Sequence, residues 1–505
     1  MRAHLRYLAD DLLEGRAPGT RGGQLAARYI AAQFEALGLE GAGPEGSYFQ
    51  PVALVGMRAQ PTLAWGTAAE AKTLAFGDEF VAWAERPLER IVSDGDVVFV
   101  GYGIAAREWR WDDYKDANLR GKVLLMLVND PGLQDSTVFN GRALTYYGRW
   151  TYKLEEAARR GAAGALLIHT TESATYPWSV VQGSWTVEQF KLDREEPQSL
   201  AFAGWVTERA ARDALAKAGL DLDSLTRAAA RPDFRPGATG IRAAVTISSR
   251  IRHIASENVV ARLPGADPAV AGETVLFTAH YDHKGIGIAV NGDSIYNGAE
   301  DNASGVAAML AAADALTRVS PRLRRSTLFI ATTAEESGLL GSAAYAADPL
   351  VPLARTVALI NLDVTNVRGA TRDIAALGGD RSTLGPAFEA AARAESLVVS
   401  SEPDVRGSFF RSDHFPLARA GVPALSIHPG LDFVGRAPEW GRERQAEWNN
   451  QRYHQPSDAY QEAFDFAGMN QQVRVAVRVA IAVANATQPP AWLPSSEFQR
   501  PTARR

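Results

Sequence analysis

Acidic and imidazole side chains stand directly after three short apolar runs of this sequence. The pairs are residues 274–279 before His280, 326–332 before Glu335 and Glu336, and 357–362 before Asp363. If the runs are parallel strands, their carboxyl ends meet at one edge of a sheet, where sites form in α/β folds. Zinc accepts imidazole and carboxylate ligands, and the chain has no Cys that could supply thiolates. The sequence therefore predicts a metal site at this edge.

Two further segments offer ligands of the same kind. Residues 297–305 form a loop of mostly small side chains around Asp301, so the backbone can approach an ion closely. His454 lies late in the chain, in a loop that contains Pro456. Neighbouring side chains of an extended backbone point to opposite sides, so one of the two adjacent glutamates can bind metal while the other acts as a base.

The elements that must position these side chains alternate between strand and helix after residue 257. This alternation predicts an α/β fold, with a three-layer α/β/α catalytic domain built on a mixed, mostly parallel sheet. Residues 51–250 differ, because short strand-like runs are separated there by Gly, Pro and aromatic turns, which indicates a β-rich domain. The expected division is an N-terminal helical part of the catalytic domain at 1–50, an insert at 51–250, the catalytic domain at 251–490 and a tail at 491–505.

Composition excludes several classes of function. The 505 residues carry a net charge of -5, and no basic cluster suggests that the protein binds nucleic acid. No apolar run reaches the ~18 residues that a membrane span needs, so membrane insertion is not expected. The Arg-rich end, 499–505, is predicted to be a disordered tail. The N-terminus lacks the pattern of a secretion signal, which leaves the compartment open between cytoplasm and export.

Several motifs, taken in order, resemble a known family. HYDH, GAEDNASG, AEESGLLGS, NLD, RSDHFPLARAGVPA and RYHQPSD are similar to the motifs of the two-zinc aminopeptidases of metallopeptidase family 28. The resemblance covers 258–458 and an N-terminal helix with the motif GRAPGT. In the middle of the chain, GYGI, WDDY, GKVLLMLVNDPG and AARRGAAGALLIH resemble the protease-associated insert of such enzymes. This resemblance implies a peptidase domain interrupted by that insert.

The resemblance also implies roles for the candidate ligands. His280 and Asp363 would hold one zinc ion, Glu336 and His454 the other, and Asp301 would bridge the two. Glu335 would be the general base. Cobalt or manganese could substitute for zinc. The family further implies a cis peptide bond after Asp301, and it commonly has Asp where this chain has Glu300.

Other polar residues near these motifs have more than one interpretation. The carboxylate of Asp282, two residues after His280, can accept the ligand's second N–H and orient its ring. Tyr453 can donate to an oxyanion or pack beside His454. Three further candidates either contact the substrate or have a structural role. Asp413 binds the substrate's amino group or caps a turn, and His414 lines the pocket or is a structural histidine. Arg411 binds a substrate carboxylate or forms a surface ion pair.

The remaining histidines and the aromatic run of the insert carry no site pattern. His283 stands in the HYDH motif without an assigned role. We expect structural or exposed positions for His4, His169, His253 and His428. The aromatic side chains either pack the insert and its interface or wall the substrate cleft; they are Tyr146, Tyr147, Trp150, Tyr152, Trp178 and Trp185.

The leading hypothesis is an aminopeptidase with two Zn²⁺ ions that acts on peptides. A carboxypeptidase of the glutamate carboxypeptidase type stays open, because Arg406 and Arg411 could bind a substrate carboxylate. A glutaminyl-cyclase-like transferase would use one zinc ion, and a non-catalytic receptor would lack ligands that this chain retains. Relatives with the insert are usually exported, which favours a periplasmic or secreted protein. Oligomeric state cannot be read from the sequence.

Overall fold

The chain forms two compact units in this computed structural model, which describes residues 1–194, 199–400, 402, 404–494 and 496–498. The first unit comprises the described residues of Met1–Leu54, Ile254–Glu402 and Arg411–Arg505. The second comprises those of Val55–His253 together with 404–410. The predicted division at 50, 250 and 490 stays a prediction, and 404–410 is a segment that it had placed in the catalytic domain. The predicted disordered end, 499–505, lies outside the described residues.

The helices have the following bounds: α1 (Arg2–Leu8), α2 (Arg21–Ala36), α3 (Trp150–Arg159), α4 (Thr171–Ala174), α5 (Trp178–Trp185), α6 (Glu208–Lys217), α7 (Leu222–Ala229), α8 (Ser304–Thr317), α9 (Leu340–Ala347), α10 (Leu384–Ala394), α11 (His414–Arg419), α12 (Trp440–Gln451) and α13 (Ala467–Asn485).

The strands have the following bounds: β1 (Glu40–Gly41), β2 (Phe49–Gly66), β3 (Ala71–Thr73), β4 (Phe80–Ala84), β5 (Arg90–Phe99), β6 (Ala105–Ala106), β7 (Trp111–Asp112), β8 (Val123–Leu127), β9 (Gly164–His169), β10 (Gln189–Leu192), β11 (Phe202–Thr207), β12 (Gly237–Leu263), β13 (Thr274–His280), β14 (Gly285–Val290), β15 (Asp293–Tyr296), β16 (Ser326–Thr332), β17 (Thr356–Asn361), β18 (Asp373–Leu377), β19 (Val398–Val399) and β20 (Ala424–Pro429).

The sheet of the first unit is mixed and mostly parallel. Its strand order is β19-β18-β20-β17-β13-β16, followed by the last part of β12. β13 is central and runs parallel to both β16 and β17, whereas β12 is antiparallel to β16 and β18 is antiparallel to β20. The carboxyl ends of β13, β16 and β17 therefore meet at one edge, as the sequence predicted.

Helices cover both faces of this sheet. Alternate side chains of β13, such as Val275 and Phe277, belong to a core that also contains residues of α1, α2, α8, α10 and α13. The intervening Leu276 is equally buried on the opposite face, and α11 packs against β17 and β20. A strand that is buried on both faces reads as a continuous apolar run, which is what these strands show. The α/β fold class is confirmed.

The second unit has its own sheet and its own apolar cores. Its strand order is β5-β8-β9-β11-β4, with the first part of β12 antiparallel to β5. β5, β8, β9 and β11 are mutually parallel, and β4 is antiparallel to β11. Side chains of β8 alternate between two cores, with Leu125 in one and Leu124 in the other.

The aromatic run of the second unit packs within it. The Tyr146 and Tyr152 rings lie 5.2 Å apart between centroids, and the Trp150 and Trp185 rings lie 5.6 Å apart. Trp178 donates its indole N–H to the Gly77 carbonyl at 2.8 Å. These are packing contacts within the second unit, and a place in the wall of a substrate cleft stays a prediction.

Within the described residues, no helix combines the length and the apolar character that a membrane span requires. The longest helix among the described residues is α13, in which Arg474 and Arg478 do not belong to the buried face. Both arginines instead donate to the Glu395 carboxylate at 2.6 Å. The other face of α13 contributes buried side chains such as Val475 and Val479 to the core of the first unit.

Removal of a central aromatic ring should test the importance of this core. Phe277 is fully buried on β13 and stacks on Phe329 at 5.3 Å between ring centroids. Phe277→Ala is expected to lower the free energy of unfolding by about 3–5 kcal/mol, because it removes buried area and leaves a cavity. The measurement is urea unfolding. Val398→Ala, at a position 68% exposed on the edge strand β19, serves as control and should change it by less than ~0.5 kcal/mol. Equal effects of the two changes would contradict this account of the core.

Candidate metal centre

Three neighbouring strands deliver the predicted ligands to one place. β13 ends at His280, β16 ends three residues before Glu335, and Asp363 follows two residues after β17. The short distances beyond the strand ends leave these side chains little freedom to move apart. The structure therefore brings together the residues that the sequence placed at the strand ends.

The first cluster forms around the His280 ring. His280 Nε2 lies 3.2 Å from Asp301 Oδ1 and 3.3 Å from Asp363 Oδ1. Glu335 Oε2 is 3.9 Å from the same nitrogen. The other ring nitrogen, Nδ1, lies 3.1 Å from the main-chain carbonyl of Asp282, which favours a proton on Nδ1 and leaves Nε2 free to bind a metal. His280, Asp301 and Asp363 have the arrangement of a metal-binding group.

The second cluster forms around the Glu336 carboxylate. Its Oε2 lies 3.0 Å from His454 Nε2, and its Oε1 lies 2.6 Å from His283 Nδ1. His283 is fully buried, and neither of its ring nitrogens has a partner in hydrogen-bond geometry among the described residues. His283, Asp301 and Glu336 form a second group that could hold a metal ion. The sequence had assigned His283 no role, although it stands in the same motif as His280.

Asp301 connects the two clusters. Its Oδ1 faces His280, and its Oδ2 lies 3.4 Å from His454 Nε2. The peptide bond between Asp301 and Asn302 is cis, as the family resemblance implied. The carboxylate of Asp458 fixes this loop, because it accepts the main-chain N–H groups of Glu300 and Asp301 at 3.0 Å each. Asp458 was quoted in a motif but was not predicted to have this role.

The side chains of the site do not balance its own negative charge. The Glu335 side chain is only 10% exposed, and burial raises its carboxyl pKa well above the ordinary value, with the neighbouring Glu336 and Asp363 acting in the same direction. Burial lowers the pKa of His280, but the Glu335 and Asp363 carboxylates outweigh burial and raise it well above the usual range. Clustered buried carboxylates with imidazoles aimed among them are the ligand types that divalent zinc accepts. The residues present therefore fit zinc.

A buried arginine braces the loops that carry the ligands. The Arg16 side chain is 1% exposed and donates to main-chain carbonyls of four residues: Leu8, Tyr281, Asn297 and Gly298. Tyr281 follows His280, and Gly298 precedes Asp301, so one guanidinium joins both ligand loops to the N-terminal segment. Burial lowers the pKa of Arg16 to about 10, against the opposing effect of nearby carboxylates such as Asp282. The sequence offered only the motif GRAPGT as a signal.

The position of Asp282 differs in detail from the predicted one. Its carboxylate Oδ1 lies 3.9 Å from His280 Nδ1 and instead accepts the main-chain N–H of Glu335 at 3.1 Å. The main-chain carbonyl of Asp282 is the closer partner of the His280 ring. Asp282 thus joins the loop after β13 to the loop after β16 through its side chain, and orients the ring through its backbone.

The other candidates surround the clusters at different depths. Asp413 is fully buried and accepts a hydrogen bond from the Thr332 hydroxyl. The Tyr453 ring stacks on the His454 ring at 3.8 Å between centroids, and burial raises its pKa well above the ordinary value. His414 is buried, and Arg411 is partly buried, close enough to Tyr453 for its charge to oppose that shift.

Glu300 forms a buried ion pair. Its carboxylate is 0% exposed and pairs with the guanidinium of Arg368, while Arg452 Nη1 lies 3.6 Å from its Oε1. Burial raises its pKa to about 7. The longer side chain at this position therefore reaches a pair of arginines next to the bridging Asp301.

Histidines without a site pattern have ordinary partners. His4 contacts the Tyr29 hydroxyl at 2.9 Å, and His428 contacts the Ser426 hydroxyl at 3.1 Å. In the second unit, His169 contacts the Tyr176 carbonyl at 3.1 Å, and the exposed His253 contacts Asp193 at 2.8 Å. Arg406, one of the two arginines considered for carboxylate binding, belongs to the second unit.

Comparison with known proteins gives the class of this site. Residues 258–479 match the profile of Peptidase family M28, so this part of the chain is a peptidase domain of that family. This match covers less than half of the chain and is to the family that the motifs resemble.

Individual relatives are distant. Leupeptin-inactivating enzyme 1 of Streptomyces exfoliatus is 29% identical over 188 residues, which span 36% of this chain and 39% of that protein. An aminopeptidase from Aneurinibacillus sp. strain AM-1 has a similar fold, with a TM-score of 0.53 at 21% identity over 97% of this chain and 96% of that one. BSAP, a zinc aminopeptidase from Bacillus subtilis, matches with a TM-score of 0.46 at 18% identity over 95% of this chain and 94% of that one.

The anchoring of the bridging loop can be tested at Asp458. In Asp458→Asn, the new amide places an NH₂ group where the carboxylate accepted a main-chain N–H. We expect a loss of about 1–3 kcal/mol in the free energy of unfolding, because a buried donor is left without an acceptor. Thermal unfolding of the metal-free protein measures this, with Asp380→Asn on the surface as the matched control. An unchanged melting temperature in Asp458→Asn would show that the carboxylate does not fix the loop.

Proposed function

We propose that the protein is a zinc-dependent aminopeptidase that removes residues from the N-terminus of peptides. The observation that carries the proposal is the bridging position of Asp301 between two clusters of zinc-type ligands. In this proposal, His280 and Asp363 would hold one ion, Glu336 and His454 would hold the other, and Asp301 would contact both. The ligand chemistry and the peptidase domain support it.

The reaction assigned to this site is hydrolysis of a peptide bond. A pair of zinc ions, when bound, polarises the scissile carbonyl and makes a nearby water molecule easier to deprotonate. Glu335 takes the proton of the attacking water and delivers it to the departing amine. Its buried position favours this task, because a carboxylate with a raised pKa is a stronger base than one in water. Tyr453 donates from its hydroxyl to the oxyanion that develops on the carbonyl.

The charge around the clusters favours an amino terminus as the recognised group. Asp413 and Glu335 are buried carboxylates near His280, and both contribute to a surrounding that attracts an ammonium group. A carboxypeptidase would need a basic pocket, for which the first unit offers Arg411 near Tyr453. A glutaminyl-cyclase-like transferase would need one zinc ion, whereas the ligands here form two groups. A non-catalytic receptor on this fold would lack ligands that are all present in this chain.

The nature of the second unit, the identity of the metal and the location of the protein are also proposals. We propose that the second unit is a protease-associated-like insert, on the motifs quoted above. Cobalt or manganese could replace zinc, because both accept the same nitrogen and oxygen ligands. A periplasmic or secreted location stays a prediction.

Replacement of the proposed base is the sharpest test of the reaction. Glu335→Gln should bind the same amount of zinc as the wild type and lose ~10²- to 10⁴-fold in kcat, because the proton acceptor is gone while the ligands remain. The measurement combines metal content with hydrolysis of unblocked aminoacyl anilides. Glu389→Gln, an exposed position on α10, is the matched control and should keep full activity.

The direction of cleavage needs its own substrates. Each peptide is offered with a free and an acetylated N-terminus, and with a free and an amidated C-terminus. The aminopeptidase hypothesis predicts that acetylation abolishes cleavage and that amidation does not. Cleavage of acetylated peptides by the zinc-loaded wild type would overturn it in favour of C-terminal cleavage, and cyclisation of N-terminal glutamine would favour the transferase.

A further inference from the structure

The two clusters differ in the cations that contact them. Within the part of the chain that the structure describes, no Lys or Arg nitrogen lies within 4.0 Å of the carboxylates of Asp301 or Asp363 in the first cluster. In the second cluster, Lys284 Nζ lies 3.1 Å from Glu336 Oε2. This oxygen is the one that also contacts His454 Nε2, at 3.0 Å. Among the described residues, an ammonium group therefore contacts a candidate ligand oxygen in the second cluster but none in the first.

The position of Lys284 is set by the fold. Lys284 lies between β13 and β14, directly after His283, so its backbone belongs to the loop that follows His280. Its side chain is 22% exposed, and Nζ also donates to the main-chain carbonyl of Glu336 at 3.2 Å. Two contacts to one residue hold the ammonium beside the Glu336 carboxylate in a largely desolvated place.

We propose that Lys284 makes the two metal positions unequal, so that the position of Glu336 and His454 binds zinc more weakly than the position of His280 and Asp363. An ion bound at Glu336 Oε2 must share that oxygen with the ammonium or displace it. It must also bind close to a fixed positive charge, and like charges repel strongly where water is excluded. In the first cluster the ammonium contacts no carboxylate oxygen, and its charge acts on Asp301 and Glu335 from farther away than on Glu336.

The consequence is a dependence of loading on the supply of metal. When zinc is scarce, the first position fills and the second stays open. The proposal rests on the assignment of both clusters as zinc sites under the proposed function, but its readout is zinc binding and not hydrolysis. Lys284 acts here through Glu336 as a positioning residue and as a fixed charge.

The test compares stepwise zinc affinities of the metal-free full chain. Zinc content is measured at a series of buffered free zinc concentrations for wild type, Lys284→Met and Lys284→Arg. Met keeps a long unbranched side chain without the charge, and Arg keeps the charge. The expected result is two well separated binding steps in the wild type and in Lys284→Arg. In Lys284→Met, the weaker step should tighten by ~10-fold or more while the tighter step changes by less than ~3-fold.

Controls separate this effect from net charge and from loss of structure. Lys217→Met removes a lysine of the second unit that pairs with Glu70, and it should leave both steps unchanged. Thermal unfolding of each metal-free variant shows that it is folded, and Lys284→Gln supplies a second uncharged variant.

Two equal steps in the wild type, or equal tightening of both steps in Lys284→Met, would overturn the role of Lys284. If the wild type in that case still bound two zinc ions and hydrolysed peptides, the proposed function would be unaffected. A wild type that binds no zinc would overturn both.

Discussion

Buried negative charge at the ends of three parallel strands is the constraint that governs this molecule. Asp301, Glu335, Glu336 and Asp363 converge on three imidazoles, those of His280, His283 and His454, in a place with little exposure to water. An ionised carboxylate away from water is costly unless a cation or hydrogen-bond donors compensate it. Under the proposed function divalent ions would supply that compensation, and the burial that raises the pKa of Glu335 shows how much its negative charge needs it.

The surrounding structure holds these carboxylates together against their mutual repulsion. Parallel pairing of β13 with β16 and β17 fixes the three strand ends side by side. Asp458 then holds the bridging loop by two main-chain N–H groups, and Arg16 joins that loop to the one after β13 through carbonyls. These contacts engage main-chain groups of the two loops, beyond the ends of the strands.

The sequence predicted the elements of the site more fully than the contacts that support it. The strand 326–332 has the predicted bounds, and the run 357–362 is shifted by one residue relative to β17. Apolar periodicity and the residue types at strand ends are local signals, so the ligand positions could be recognised. Arg16 and Asp458 were missed because they act on main-chain groups far away in sequence, and backbone partners leave no residue-type signature.

The same limit applies to the details of the second cluster. Nothing in a lysine that follows HYDH indicates that its ammonium reaches Glu336, which lies 52 residues further on in a different loop. We expected the carboxylate of Asp282 to contact the His280 ring. The main-chain carbonyl of Asp282 makes that contact, and its carboxylate accepts the main-chain N–H of Glu335. Segment 404–410 was assigned to the catalytic domain by continuity, yet its contacts place it in the second unit, as with Phe410 beside Tyr146.

Under the proposed function, the buried carboxylates hold two metal ions that share Asp301. The most direct test is crystallographic: an anomalous difference map collected at the zinc absorption edge from crystals of the zinc-loaded protein. The account predicts two peaks ~3.5–4 Å apart, one beside His280 and Asp363 and the other beside Glu336 and His454, with the Asp301 carboxylate between them. A single peak, or zinc bound away from Asp301, would contradict it.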